Sequence, residues 1–281
     1  MKNNTPVKVW NVIYPIFIYY VVSNVVMYLA MLALGVTEDT YSYYYTLLQT
    51  IATAVALPIL YRFYRRDQMF FTVFQQRTGN EYRELSGKRK LANAALTFVC
   101  GALAGVVLNN IIGATGLARV SESYQNVNAH FYGGSVFFEI LGLGILIPMV
   151  EELLYRGIVY ARLSDWIGIP AAAVVSALIF GGLHFNLVQF LYAFLVGLLL
   201  VFFLERTHNL YGAILGHIGA NLITVLRVET GMLDWMERSS AVLWITTGVM
   251  AAVCVGMLVF MAKKKTVLAH KKMAHKNSKN T

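Results

Sequence analysis

Met149-Val150-Glu151-Glu152-Leu153-Leu154-Tyr155-Arg156-Gly157 puts two adjacent carboxylates and a guanidinium inside a run, residues 135 to 160, that is otherwise apolar enough to cross a membrane. A charge at the centre of a spanning helix costs on the order of 2.5–3.5 kcal/mol by insertion scales, so charges kept there need a reason. The rest of the chain supplies the setting in which to look for it.

The chain has 281 residues, 58% of them hydrophobic and 13% charged, with a mean hydropathy of +0.59. That is the composition of an integral membrane protein. One membrane crossing takes roughly 20 apolar residues. Runs of about that length cover residues 11 to 34, 43 to 64, 91 to 113, 135 to 160, 169 to 187, 188 to 204, 210 to 227 and 240 to 262. The reading is an all-α, polytopic membrane helix bundle with about eight transmembrane helices. The weakest division separates the fifth run from the sixth, where "HFNLVQFLY" offers just Asn186 and Gln189 as polar punctuation, and seven is the alternative count. The first run is too long for the apolar region of a signal peptide and lacks a small-residue cleavage site, so it reads as a retained helix. Cys100 and Cys254 fall inside apolar runs without metal-ligand spacing and read as packing residues.

Three regions follow: residues 1 to 90, with two helices and a basic loop; a helical core from 91 to 262; and a basic, low-complexity tail from 263 to 281 that reads as disordered. Charge orients the bundle, because cytoplasmic loops collect Lys and Arg. Arg62, Arg65, Arg66, Arg77, Arg83, Lys88, Arg89 and Lys90 crowd one connection and seven lysines fill the tail, so both are expected in the cytoplasm together with both termini. Glu38-Asp39 and the segment 227 to 239 then face outward. The net charge of +9 is explained by topology and by attraction to anionic inner-leaflet lipid, and a nucleic-acid partner is not expected.

Helical geometry sorts the intramembrane polar residues. Glu152 and Arg156 are four apart, share a face and neutralise each other, so an internal ion pair is the preferred reading for them. Glu151 points about 100° away, aligns with Tyr155 and has no cation on its own helix, which leaves it free to take a proton from water. His217 and Asn221 are four apart in "GHIGAN", on a helix whose Gly212, Gly216 and Ala220 form a small-residue stripe that admits a neighbouring backbone. Phe180 and His184 are four apart in "FGGLHF". A lone histidine in an apolar helix is more often a packing residue than a chemical one. One free Glu, two His and an Asn on three convergent helices are another matter: they supply a general base with donors for an oxyanion, or equally the ligands of a metal.

The order Glu151-Glu152-x-x-x-Arg156, Phe180-x-x-x-His184, His217-x-x-x-Asn221 resembles the CPBP intramembrane proteases, also called the Abi or bacteriocin-immunity family and related to the CAAX-prenyl endopeptidases. The resemblance runs over roughly residues 135 to 227, inside the region 91 to 262 that it makes the protease core. It implies an eight-helix endopeptidase with an intramembrane site. Carried over by residue, Glu151 would activate water with the assistance of His184, His217 and Asn221 would stabilise the oxyanion, and Glu152 and Arg156 would hold the site in place. The family is also described as metalloproteases, in which case Glu151, His184 and His217 would ligate a divalent metal such as zinc. The description without metal is preferred, since one Glu, two His and an amide make a poor closed zinc set. The implied substrate is a membrane-associated or lipidated peptide or protein, and the implied location is a bacterial cytoplasmic membrane.

Other membrane-protease designs are missing: the chain has no His-Glu-x-x-His, no Gly-x-Ser-x-Gly and no paired intramembrane aspartates. Two competing readings are a non-catalytic immunity or scaffold protein on the same fold and an ion-coupled transporter. The intact motif set argues against the first and the lack of an internal repeat against the second. One geometric demand remains. Glu151 and His184 reach a common depth only if the fourth helix runs on to about Asp165-Trp166, tilted and kinked at Pro148, with a water-filled cavity that is expected to open to the cytoplasm.

Overall fold

A computed structural model describes residues 5–78 and 87–263 of the chain. The tail expected to be disordered lies outside the described residues apart from Lys263, as does part of the basic loop. Helix α1, Thr5–Leu34, turns at Gly35, whose φ of +62° suits glycine, into α2, Glu38–Thr78. Helix α3 is Gly87–Ala114. A single helical turn at Leu117–Val120 leads to α4, Glu122–Phe131, which Ser121 caps by accepting from the backbone N–H of Tyr124. Helix α5 runs over Val136–Ile167 and α6 over Ile169–Gly182. Asn186 caps α7, Leu187–Thr207, and Asn209 caps α8, Leu210–Thr230. A 3₁₀ turn at Asp234–Arg238 precedes α9, Ser240–Lys263. No strand occurs among the described residues.

Every apolar run read from the sequence is helical over most of its length, but the crossings number fewer than the runs. Six helices, α1, α2, α3, α7, α8 and α9, are long and apolar enough to span. Helices α4 and α5, bent by 106° relative to each other, make a seventh if taken as one broken span. Helix α6 has 14 residues, about 21 Å at 1.5 Å per residue, which falls short of the roughly 30 Å hydrocarbon core. The chain breaks at His184-Phe185 and restarts at the Asn186 cap, so the polar punctuation noticed in the sequence is a helix boundary within the bundle.

Helix α5 continues to Ile167, as the depth argument required. Its irregularity is not a simple proline kink at Pro148: residues Glu139–Leu146 and Tyr155–Tyr160 are π-helical, and a regular segment, Ile147–Leu154, lies between them. The wide turns before Pro148 relieve the clash of its ring with the carbonyl four residues earlier. The two carboxylates therefore ride on two regular turns bracketed by wide ones.

The bundle has two ends. At the Glu38 end, Ser42 Oγ and His130 Nδ1 lie 2.7 Å apart and bind α4 to the start of α2, while Arg227 Nη1 donates to Asn110 Oδ1 at 2.6 Å and ties α8 to the end of α3. At the opposite, Arg62 end, Arg162 Nε donates to Asp67 Oδ2 at 2.8 Å, another Arg162 nitrogen donates to the carbonyl of Asn11, and Tyr160 donates to Glu205 at 2.8 Å. Between the ends, α3 and α8 pack closely along the predicted small-residue stripe. Gly101 faces the backbone of Gly216, and a methyl group on Gly105 would stand 3.0 Å from the carbonyl oxygen of Ala220. Cys100 and Cys254 are free, buried and in contact, their sulfurs 3.5 Å apart.

Candidate active site

Three helices bring the singled-out residues together at mid-depth: α5 with Glu151, Glu152 and Arg156, the end of α6 with Phe180 and His184, and α8 with His217 and Asn221. Glu151, His184, His217 and Asn221 all line one cavity of about 330 Å³. Its remaining walls come from α3, α4, α7 and the upper turns of α5 and α8.

Beneath the cavity Glu152 is the organising group. Its Oε1 accepts from Arg156 Nη1 at 2.7 Å, the i,i+4 pair expected from the spacing. The same oxygen lies 2.9 Å from His217 Nδ1, a contact between helices that no local pattern announces. Arg156 Nη2 donates in turn to the carbonyl of Gly197 on α7 at 3.1 Å. One buried ion pair thus ties α5 to both α7 and α8. Its partners are fully enclosed, where breaking the pair is far more costly than at a surface. The Arg156 guanidinium also lies over the Phe180 ring, 4.5 Å from its centroid.

Phe180 is the shared wall of the site. Its ring meets His184 edge-on at 5.2 Å, His217 at 5.7 Å and Tyr155 at 4.9 Å between centroids. Phe180 is thereby the spacer that fixes both imidazoles relative to Arg156, a part its place in the motif did not reveal.

The hydrogen bonds fix the ring tautomers. His184 Nδ1 lies 2.9 Å from the carbonyl oxygen of Phe180, which can only accept, so Nδ1 carries the proton there. His217 Nδ1 faces the Glu152 carboxylate and carries a proton by the same argument. In both rings the nitrogen left over is Nε2. That of His217 lies 3.8 Å from Glu151 Oε2. Asn221 uses one amide hydrogen on the carbonyl of Leu143 at 3.0 Å, which orients the carboxamide and leaves its second N–H unassigned.

The two carboxylates consequently differ. The Glu152 side chain has no exposure and is held by a cation and an imidazole, whereas Glu151 is 17% exposed and faces the cavity. The arrangement offers a carboxylate that can accept a proton, two imidazole nitrogens and an amide donor around one space. Tested as a metal site, it fits poorly. Glu151, His184 and His217 do not converge as ligands, and no three His, Cys, Asp or Glu side chains among the described residues do.

Sequence reasoning missed the Gly197 and Leu143 carbonyls, the Glu152–His217 bond and α4, which walls the mouth with Tyr124, Asn128 and Phe131. Backbone acceptors and contacts between helices leave no trace in residue spacing.

Residues 133–223, which hold all three motifs, match the family model described as Rce1-like, type II CAAX prenyl endopeptidase. A relative, YdiL of Bacillus subtilis (strain 168), carries the provisional description of a membrane peptidase. It is 25% identical over 133 residues, which are 47% of this chain and 54% of the relative. The match thus spans about half the length of that relative. No solved structure gives a significant match. These similarities bear out the resemblance read from the motifs.

Proposed function

We propose that this chain, a polytopic helical membrane protein whose residues 133–223 carry the Rce1-like region of the CPBP proteases, is an intramembrane endopeptidase driven by a glutamate-activated water. The observation that carries the proposal is the division of labour between adjacent carboxylates: Glu152 is consumed by Arg156 and His217, while Glu151 faces the cavity with the Nε2 of His217 beside it.

In this mechanism Glu151 takes a proton from a water in the cavity, and the water oxygen attacks the scissile carbonyl carbon. Negative charge collects on the carbonyl oxygen, where the second N–H of Asn221 is the neutral donor within the set. The Nε2 atoms of His184 and His217 donate to that oxygen only as imidazolium, because each ring's Nδ1 proton is already committed. As neutral rings they orient the water by accepting from it. The proton held by Glu151 then passes to the leaving amine as the tetrahedral intermediate collapses. Preorganised groups of this kind contribute roughly 10²–10⁴-fold each.

The ligand geometry favours chemistry without a metal, and no step is routed through one. The substrate class carried by the resemblance is a membrane-associated or lipidated peptide or protein, processed in a bacterial cytoplasmic membrane.

The test is cleavage of a fluorogenic panel of membrane peptides by detergent-purified protein, wild type against Glu151→Gln, with and without a strong chelator. The proposal expects cleavage that disappears in Glu151→Gln and survives the chelator. Cleavage abolished by chelation and restored by zinc would replace the metal-free mechanism, and cleavage retained by Glu151→Gln would remove Glu151 from its role.

A further inference from the structure

We infer that the cavity opens to the non-cytoplasmic side of the membrane, so that the peptide bond it receives belongs to a segment presented from that side. The inference rests on the reading of the cavity as a peptidase site for its substrate, but its own support is positional and independent of catalysis.

The cavity lies between mid-depth and the Glu38 end. From Glu151, which is near the middle of α5, its walls rise through Ile147 and Leu143 of that helix and through Asn221, Thr224 and Val228 of α8. They finish at Ile112 and Gly113 at the end of α3 and at Tyr124 and Asn128 of α4, all of them at the Glu38 end. Toward the Arg62 end the way is closed. Below Glu151, residues 152–160 and Leu163 of α5 are buried without a break, and Val12, Leu60, Val201 and Leu210 pack with them into one apolar cluster. A packed interior of this kind has no room for a water column, let alone a peptide.

Charge assigns the ends to sides. Of the 23 Lys and Arg, Arg119, Arg227 and Arg238 belong to segments at the Glu38 end, where Glu38, Asp39, Glu122, Glu229, Asp234 and Glu237 also lie. At the Arg62 end stand Lys8, Arg62, Arg65, Arg66, Arg162, Arg206 and Lys263. Retention of Lys and Arg on the cytoplasmic side makes the Arg62 end cytoplasmic. The charge pattern of the sequence puts both termini on that side as well, and the cavity expected from the sequence opens to the cytoplasm. With the same charge assignment, the arrangement of the walls turns the mouth outward.

The substrate class narrows accordingly. A segment reaching Glu151 passes α4 first, along the face that bears Tyr124 and Asn128, so it is an exported peptide, or the non-cytoplasmic flank of a membrane-inserted one.

The experiment is labelling with a membrane-impermeant maleimide in intact bacterial spheroplasts expressing the full chain, before and after membrane disruption. Native Cys100 and Cys254 are buried, so the unsubstituted chain is the blank, and a Cys100→Ala, Cys254→Ala background replaces it if the blank labels. Asn126→Cys reports the exposed face of α4, Thr224→Cys the cavity wall and Asp165→Cys the Arg62 end. The inference expects Asn126→Cys and Thr224→Cys to label in intact spheroplasts and Asp165→Cys to label only after disruption. Labelling of Asp165→Cys in intact spheroplasts with protection of the other two would overturn it, as would Asn126→Cys labelling while Thr224→Cys labels only from the cytoplasmic side or from neither. The labelling pattern does not depend on turnover. A failed cleavage assay with the expected pattern therefore refutes the peptidase reading alone, and cleavage with the reversed pattern refutes the orientation alone.

Discussion

Glu152 and His217, 65 residues apart in the chain, meet through Glu152 Oε1 and His217 Nδ1 at 2.9 Å, and the same oxygen accepts from Arg156. This one atom fixes the position of an imidazole on α8 by way of an ion pair on α5. The apparent oddity of two carboxylates in an apolar helix resolves into two different tasks, one structural and one directed into the cavity.

Replacing Glu152 with Gln keeps the shape but leaves Arg156 as an uncompensated buried cation. Loss of one partner from a buried pair costs about 3–5 kcal/mol. The expected outcome is a large fall in thermal stability of the detergent-purified protein, together with loss of cleavage as His217 loses its anchor. A Glu152→Gln protein as stable as wild type would show that the pair does not hold the helices.

Gly197 is where α7 comes close to the pair. A methyl group there would stand 3.1 Å from both Arg156 Nη2 and the Ala177 side chain. Gly197→Ala is expected to push the guanidinium off the Gly197 carbonyl and to destabilise by roughly 1–3 kcal/mol, the usual range for overpacking. Cleavage measured at saturating substrate should fall more than that instability alone explains, because Arg156 also positions Phe180.

Phe180→Leu removes the ring between Arg156 and the two imidazoles while keeping an apolar side chain of lesser volume. Loss of the cation–π contact and of the edge contacts is expected to cost about 1–2 kcal/mol in stability. The cleavage rate constant should drop with little change in KM, since the ring in the cavity wall is only 2% exposed and acts by holding the two imidazoles.

At the mouth, His130→Ala deletes the contact with Ser42 and the ring contacts with Tyr41 and Tyr45 that dock α4 on α2. Because α4 walls the entrance without touching the polar cluster, the expected signature is a raised KM with a nearly unchanged kcat. A collapse of kcat instead would tie α4 to the chemistry itself.

Much of this was legible in the sequence, for identifiable reasons. The helices follow from apolar runs whose length matches a membrane, and the Glu152–Arg156 pair follows from the i,i+4 geometry of one helix. Glu151 stood out because it lacked a cation on its own helix. The short α6 was foreshadowed by Asn186, whose capping role is local chemistry. What stayed hidden depends on register between helices: Glu152 meeting His217, Arg156 meeting the Gly197 carbonyl, Asn221 meeting the Leu143 carbonyl. Helix α4 escaped because Gln125, Asn126 and Asn128 dilute its apolar pattern. The π-helical turns of α5 escaped because Pro148 offered a simpler cause for an irregular helix.

The division of tasks between the two carboxylates is tested most directly by side-by-side measurement of thermal stability and peptide cleavage for Glu151→Gln and Glu152→Gln. It predicts that Glu151→Gln melts with the wild type while cleavage falls by roughly 10²-fold or more, and that Glu152→Gln loses both stability and cleavage. Glu151→Gln that cleaves, or Glu152→Gln that is stable and fails only in cleavage, would contradict the division of tasks between the two carboxylates.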